Sequence, residues 1–314
     1  MNYNAYQIGM EAYSLQCQQR SEEALELIDR SIELDPTYNK AYGLRGAILL
    51  SLGRYQEGWP LYVMGYRKPF TWNGEETNDI ITIYDDLGFG DCINFSRFLP
   101  WVKERCPNVQ VVVKETLRDL FKISFENITF LPFSTPISGK VCPMINLCYI
   151  FNNDPFDFKN EPYIKTNHIS DIKASVGLCL NSENTNTERH EVRYIPELLR
   201  KQFLEIPNSI SLEYKDLKED SSFAETAAII NNLDLVITID TSIAHLAGAI
   251  GKPTWILLSH DCDWRWMQNT SKTSWYPSVE LIRQKTPGDW QEVVDRVIEK
   301  YINTHNTSIA PGKP

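Results

Sequence analysis

From Asp79 onward the chain alternates short apolar runs with amphipathic stretches. Ile80-Ile81-Thr82-Ile83-Tyr84 is apolar and β-branched, the pattern of a parallel strand covered on both faces. It leads into Asp85-Asp86-Leu87-Gly88-Phe89-Gly90-Asp91, a turn with two glycines, and then a helix with Ile93, Phe95, Phe98, Leu99 and Val102 as its buried stripe. Val109–Val113 is the next strand, and further strands are expected near Ile128–Leu131 and Met144–Leu147. The rest of 115–172 has little pattern, and Asn152–Asn167, rich in Asn, Asp, Pro and Phe, reads as an interdomain linker. A second series of strands falls at Ala174–Leu180, Ile210–Glu213, Leu235–Ile239 and Thr254–Leu258. A helix from Trp290 to Ile302, with Val293, Val294, Val297, Ile298 and Tyr301 apolar, closes it. Two blocks of alternating strands and helices predict an α/β chain with two doubly wound domains.

The first seventy residues carry a different pattern. Ala12 and Gly46 stand 34 residues apart, as do Ala24 and Gly58, and Pro36 closes the first unit. The run from Ala41 to Gly58 resembles the tetratricopeptide (TPR) pattern, in which small residues let two antiparallel helices pack face to face. About two repeats are fewer than a free-standing solenoid needs, so these helices are expected to lean on the rest of the protein. The expected organisation is helical repeats over 1–70, a first α/β domain over 71–168, a second over 169–303, and a polar, disordered tail over 304–314.

Composition adds bounds. A length of 314 residues fits two domains at roughly 100–200 residues each, and 42% hydrophobic residues with 23% charged suffices for a packed core in a soluble protein. A net charge of −10 argues against nucleic-acid binding dominated by the phosphate backbone, though a local basic groove stays open. The seven cysteines are scattered without a CxxC pair, which favours a reducing, cytoplasmic location over a disulfide framework or a zinc site. Met1-Asn2-Tyr3-Asn4 lacks the pattern of a signal peptide. The most apolar stretch, Leu233–Leu258, is broken by Asp234, Asp240, His245 and Lys252, and so reads as strands and a helix instead of a membrane span.

The strongest chemical signal lies in Leu235–Ala249. A buried strand ends in Asp240, and Thr241-Ser242 opens a helix with Ala247, Gly248 and Ala249 along it, small enough for close helix–sheet packing. The unpaired N–H groups at such a helix start suit a pyrophosphate, and His245 falls where its side chain can reach the same anion.

This run resembles the D-T-x-x-x-H-L-A-[GA]-A segment of heptosyltransferase-type glycosyltransferases. The chain is also similar to bacterial TPR-fused glycosyltransferases through Asp263-Trp264-Arg265-Trp266, Trp275-Tyr276-Pro277, Arg283-Gln284 and Gly288-Asp289-Trp290. Trp72-Asn73-Gly74-Glu75 and Cys142–Leu147 extend the likeness. The resemblance implies a GT-B architecture, two Rossmann-like domains preceded by a short all-α TPR segment. It implies that Asp91, in Gly90-Asp91, is the catalytic base, although an Asp there can equally cap the helix. Arg193, in Arg193-Tyr194-Ile195-Pro196, is implied to hold the donor phosphates, with Arg189 second, and Glu213 to lie near the donor ribose. Asp240, Thr241, Ser242 and His245 complete the donor set, and Gly90, Asp263, Trp264 and Arg265 are candidates for sugar or acceptor contacts. Trp264, Trp266 and Trp275 have the chemistry to stack a sugar and equally that to build core. One departure is Cys179-Leu180-Asn181-Ser182, which replaces a tryptophan and small-residue loop.

The expected function is therefore transfer of a sugar from a nucleotide-sugar donor to an acceptor hydroxyl, inverting and without a metal or other cofactor. Asp261-Cys262-Asp263 mimics a metal-binding D-x-D, but two oxygens alone do not make a metal site. Three alternatives stay open. A catalytically silent scaffold would keep the fold and bind a protein through its TPR helices. An epimerase would convert donor without acceptor. The acceptor itself is a protein, glycan, lipid or modified nucleobase, and salt-dependent DNA binding would single out the last.

Overall fold

The structure is a computed structural model that describes all residues except 1, 67–69, 86, 152–160, 168–169, 183–192, 214–215, 217–221 and 307–314. The N-terminal segment folds as two helical hairpins, α1 (Tyr3–Cys17) against α2 (Ser21–Leu34) and α3 (Asn39–Ser51) against α4 (Tyr55–Tyr66). The predicted small residues set both crossings. Ala12 and Ala24 are fully buried, and a Cβ on Gly46 would lie 2.3 Å from the Tyr62 backbone nitrogen. The α3 and α4 backbones approach more closely than side chains would allow.

The first sheet contains β1 (Ile81–Tyr84), β2 (Val109–Val113), β3 (Thr129–Pro132) and β4 (Lys140–Pro143), all parallel, in the order β3-β2-β1-β4. Between β1 and β2 run α5 (Phe89–Phe95), a 3-10 turn (Ser96–Phe98) and α6 (Leu99–Arg105), with α7 (Glu115–Ser124) between β2 and β3. All five residues of the predicted stripe are buried, but Pro100 divides the helix and starts α6 anew. The expected strand Met144–Leu147 is corrected. The strand is Lys140–Pro143, and the apolar run after it is a 3-10 turn (Met144–Asn146) and α8 (Leu147–Phe151). A four-residue apolar run has too few positions to separate strand from buried helix by period.

The second sheet, β5 (Val176–Cys179), β6 (Ser209–Ser211), β7 (Leu235–Ile239), β8 (Thr254–Leu258) and β9 (Val279–Arg283), is also parallel, in the order β6-β5-β7-β8-β9. Its helices are α9 (Glu197–Phe203), α10 (Phe223–Asn232), α11 (Ser242–Ile250) and α12 (Trp290–Asn306). The last helix extends past the expected start of a disordered tail at Thr304, and 307–314 lie outside the described residues. Most of the expected linker, 152–160, also lies outside them.

In each sheet the chain winds one way and then returns to the other side of its first strand. That reversal opens a crevice at the carboxyl ends of β1 and β4 in one sheet and of β5 and β7 in the other. The helical hairpins close over the junction. Tyr55, Trp59 and Tyr62 of α4 share one continuous apolar cluster with Phe95, Trp264 and Trp275, and the Trp59 and Trp264 rings meet edge to face at 5.2 Å. Gln19 Nε2 adds a hydrogen bond of 2.5 Å to the His260 carbonyl. Among the described residues no helix is long and apolar enough to cross a membrane.

Candidate functional site

A cavity of about 340 Å³ lies where the two crevices face each other. Leu87 to Asp91, following β1, and Ile145, following β4, line one side. Ser182, Arg193, Asp240, Thr241, Ser242 and His245 line the other, with Asp263 and Arg265 beside them and Tyr62 of α4 as part of the wall.

Gly88 is the N-cap of α5, so Asp91 stands third in the helix and does not act as the N-cap. Its carboxylate meets a buried guanidinium from the other half of the molecule, with Arg265 Nη2 2.6 Å from Asp91 Oδ1. Arg265 Nη1 also donates to Asp263 Oδ1 at 2.8 Å, and the guanidinium carbon lies 4.3 Å from the Trp264 ring centre. Burial alone would lower the Arg265 pKa, but Asp91 and Asp263 more than offset this and keep it charged. For Asp91, removal from bulk water raises the carboxyl above its ordinary value; Arg265 opposes the rise, and Asp263 and Asp240 add to it. A carboxylate so raised, one third exposed at the cavity, is suited to accept a proton.

Opposite Asp91, Thr241 is the extended N-cap of α11 and makes no side-chain capping bond, which leaves the first N–H groups of the helix available to an anion. Arg193 stands beside this helix start, Nη1 donating to the Asp240 carbonyl at 3.1 Å and Nη2 lying 3.3 Å from Asp240 Oδ2. His245, one turn into α11, stacks on Trp266 with ring centres 5.2 Å apart, and its Nδ1 lies 2.9 Å from the Tyr276 phenolic oxygen. Burial pushes its imidazole well below the usual pKa; Arg265 reinforces this, Asp263 opposes it, and Arg97 and Arg193 add to the depression. The ring is therefore neutral near pH 7. Gly90 makes the approach of the halves possible, because a Cβ there would lie 2.7 Å from His245 Cδ2. The Cys179 thiol, 3.7 Å from Thr241 Oγ1, is pushed up to about 11 by burial and supplies no thiolate.

No protein-family model matches the chain. Protein FlbA of Caulobacter vibrioides (strain ATCC 19089 / CIP 103742 / CB 15) is 26% identical over 81% of this chain and 53% of its own length, so the chain spans about half of the curated relative it matches. Three solved structures align at low identity. The bacterial iron-containing dodecameric glycosyltransferase TibC from enterotoxigenic E. coli H10407 gives a TM-score of 0.48 at 10% identity, over 75% of this chain and 78% of that one. The glycosyl transferase family 9 protein from Veillonella parvula DSM 2008 gives 0.47 at 12%, over 74% and 99%. E. coli ADP-heptose lps heptosyltransferase II gives 0.44 at 11%, over 71% and 99%.

Of the residues singled out in the sequence, Gly90, Asp91, Arg193, Asp240, Thr241, Ser242, His245, Asp263 and Arg265 all line the cavity. Two do not. Glu213 lies on a separate cavity of about 310 Å³ beside the edge strand β6, with Glu197 and Arg200. Trp264 packs into the aromatic junction, its ring 5.3 Å from that of Tyr62, and Trp266 and Trp275 are equally buried. The indoles build core there. Gly248, expected to ease helix–sheet packing, seats Tyr276 instead, since a Cβ would lie 2.5 Å from Tyr276 Cγ. Arg189 falls outside the described residues. Sequence reasoning missed Tyr62, Phe89, Ile145 and Ser182 on the cavity. For Tyr62 a signal was present, because Tyr55, Trp59 and Tyr62 form an aromatic stripe at helical spacing that two hairpins alone cannot cover.

Proposed function

We propose that this chain is a glycosyltransferase of GT-B type, with TPR-like helices fused to two Rossmann-like domains, that moves a sugar from a nucleoside-diphosphate donor to an acceptor hydroxyl. The observation that carries the reading is the opposition of Asp91 to the uncapped start of α11 across one cavity, with Arg193 at the helix start. The diphosphate sits on the α11 N–H groups and Arg193, whose charge stabilises the leaving group. Asp91 takes the proton of the acceptor hydroxyl as its oxygen attacks the anomeric carbon, while the bond from that carbon to the diphosphate oxygen breaks. Attack from the face opposite the leaving group inverts the anomeric centre. Fixed cations and helix N–H groups supply the charge a metal would otherwise provide. The sequence resemblance through Asp240–Ala249 and Asp263–Trp290 supports the same reading. With all seven cysteines as free thiols, we place the protein in the cytoplasm.

The test is a thermal-shift screen with UDP-, GDP-, CMP-, ADP- and dTDP-sugars, followed by an assay of nucleoside diphosphate release. A donor at about 100 times its dissociation constant adds about 2.7 kcal/mol to stability, and His245→Ala should abolish the shift. If every nucleotide sugar leaves the melting temperature unchanged, the donor assignment is wrong. If donor is converted without any acceptor, the reaction is an epimerisation.

A further inference from the structure

On the reading above, His245 faces the donor, and we infer that Tyr276, oriented by Asn94, fixes His245 as the tautomer with its proton on Nε2, making it a hydrogen-bond donor to the diphosphate. Asn94 is fully buried in α5, and its Nδ2 donates to the Tyr276 phenolic oxygen at 2.7 Å. The same oxygen lies 2.9 Å from His245 Nδ1. A phenol carries one proton. The Asn94 NH₂ can only donate to it, whereas His245 Nδ1 can accept, so the O–H is directed at His245 and Nδ1 is then the lone-pair nitrogen. The Tyr163 hydroxyl is also a polar neighbour of the Tyr276 oxygen. Its own proton goes to the Ile93 carbonyl at 3.0 Å and its oxygen accepts from Arg97 Nη2 at 3.2 Å, so the Tyr276 proton goes to His245 Nδ1, the acceptor at 2.9 Å.

The chain of donors depends on the orientation of the Asn94 amide, which is assigned from its partners. As placed, Asn94 Oδ1 is the atom left without a partner. Reversing the amide would bury an unpaired NH₂ in its place, and orphaned buried N–H groups are rarer than under-satisfied carbonyls. The imidazole is neutral, as its surroundings require, so it has a tautomer to fix. Stacking on Trp266 sets the ring plane. Nε2 then faces the Gly90 side, 3.4 Å from where a Cβ would stand, and has no hydrogen-bond partner among the described residues. Its N–H thus joins those of the α11 start, and the ligand chemistry it fits is an anionic oxygen. Because Asn94 belongs to the first sheet's half and Tyr276 and His245 to the second's, this proton arrangement exists only with the halves together.

The experiment uses the full chain labelled with ¹⁵N-histidine. Long-range ¹H–¹⁵N correlation separates pyrrole-type from pyridine-type nitrogens, and His245→Gln identifies the His245 signals among those of five histidines. The expected result is a pyridine-type Nδ1 and a pyrrole-type Nε2 in the free wild-type protein. Tyr276→Phe keeps the ring seated on Gly248, and it should give a mixture of tautomers and bind inorganic pyrophosphate about tenfold more weakly, the loss of one charge-assisted hydrogen bond. An Nδ1–H tautomer in the wild type overturns the inference whatever binds. An Nε2–H tautomer that Tyr276→Phe leaves intact overturns the role of Tyr276. Correct tautomers without pyrophosphate binding uphold the proton assignment and overturn the donor site.

Discussion

Asp91 and Arg265 come from opposite halves of the molecule and meet at 2.6 Å, carboxylate to guanidinium, at the edge of the cavity. The pair holds Asp91 in one direction while burial raises its pKa, which suits the base role proposed for it. Asp91→Asn should therefore lower nucleoside diphosphate release by about 10²–10⁴-fold, with donor affinity little changed. Equal rates in variant and wild type would remove Asp91 from the mechanism.

The pH profile follows from the same carboxylate. A base acts deprotonated, so activity is present above its folded-state pKa and lost as pH falls through it. Since that pKa is raised, the acid limb of kcat/KM should lie above the ordinary carboxylate range of about 4. Arg265→Gln should move the limb to higher pH still, because the guanidinium opposes protonation. A limb that moves down, or stays fixed, would contradict the coupling.

Arg193 is held at the helix start by both the carbonyl and the carboxylate of Asp240. Arg193→Ala should weaken donor binding by about 10–100-fold, the loss of charge-assisted hydrogen bonds. Isothermal titration with the donor found in the screen would measure it. Unchanged affinity would place the phosphates elsewhere.

Gly90→Ala probes the contact between halves. Its methyl would stand 2.7 Å from His245 Cδ2, and the ring cannot swing away while it stacks on Trp266 and bonds Tyr276. Overpacking of this kind costs about 1–3 kcal/mol. Denaturant unfolding should register that loss together with lower turnover, whereas a variant as stable and active as wild type would mean the halves part readily.

Chelation should have no effect. Asp263, which completes the D-x-D-like run, is already engaged by Arg265, and Arg193 and the helix N–H groups stand where the diphosphate is proposed to sit. Turnover after EDTA treatment and gel filtration should match the untreated rate. A loss that Mg²⁺ or Mn²⁺ restores would demand a different account of leaving-group stabilisation.

Much of this was legible in the sequence because it rests on local pattern. β2, β7 and β8 are the apolar runs expected at Val109–Val113, Leu235–Ile239 and Thr254–Leu258, buried on both faces as parallel strands are. His245 was identifiable because it stands one turn into a helix that follows such a strand, and Asp91 only through the resemblance of Gly90-Asp91. α7 was overlooked although Leu117, Leu120, Phe121 and Ser124 sit at helical spacing and are all buried. β9 was missed because Val279–Arg283 is short and carries Glu280 and Arg283 among its apolar residues, with neither strict alternation nor an unbroken apolar run. Asn94 carries no local mark, and Ile145 and Tyr276 stand in motif-like runs that attach no role to them. Their roles come from contacts between residues as far apart as 94 and 276, set by how the halves pack. Glu213 illustrates the converse, since its strand was expected but β6 lies at the sheet edge and its end faces a different cavity.

The aromatic junction has a consequence for how such a protein can be rearranged. Trp59 and Tyr62 on the helices and Trp264 and Trp275 on the second half complete one another's packing, and Tyr62 is also part of the cavity wall. The helices are thus no interchangeable adaptor. A chimaera joined after α4 would set foreign side chains against Trp264 and replace one wall of the cavity. A viable exchange, whether by recombination in nature or by design, must carry the helices and the Trp264–Trp275 region as a single inheritance, although roughly two hundred residues of chain separate them.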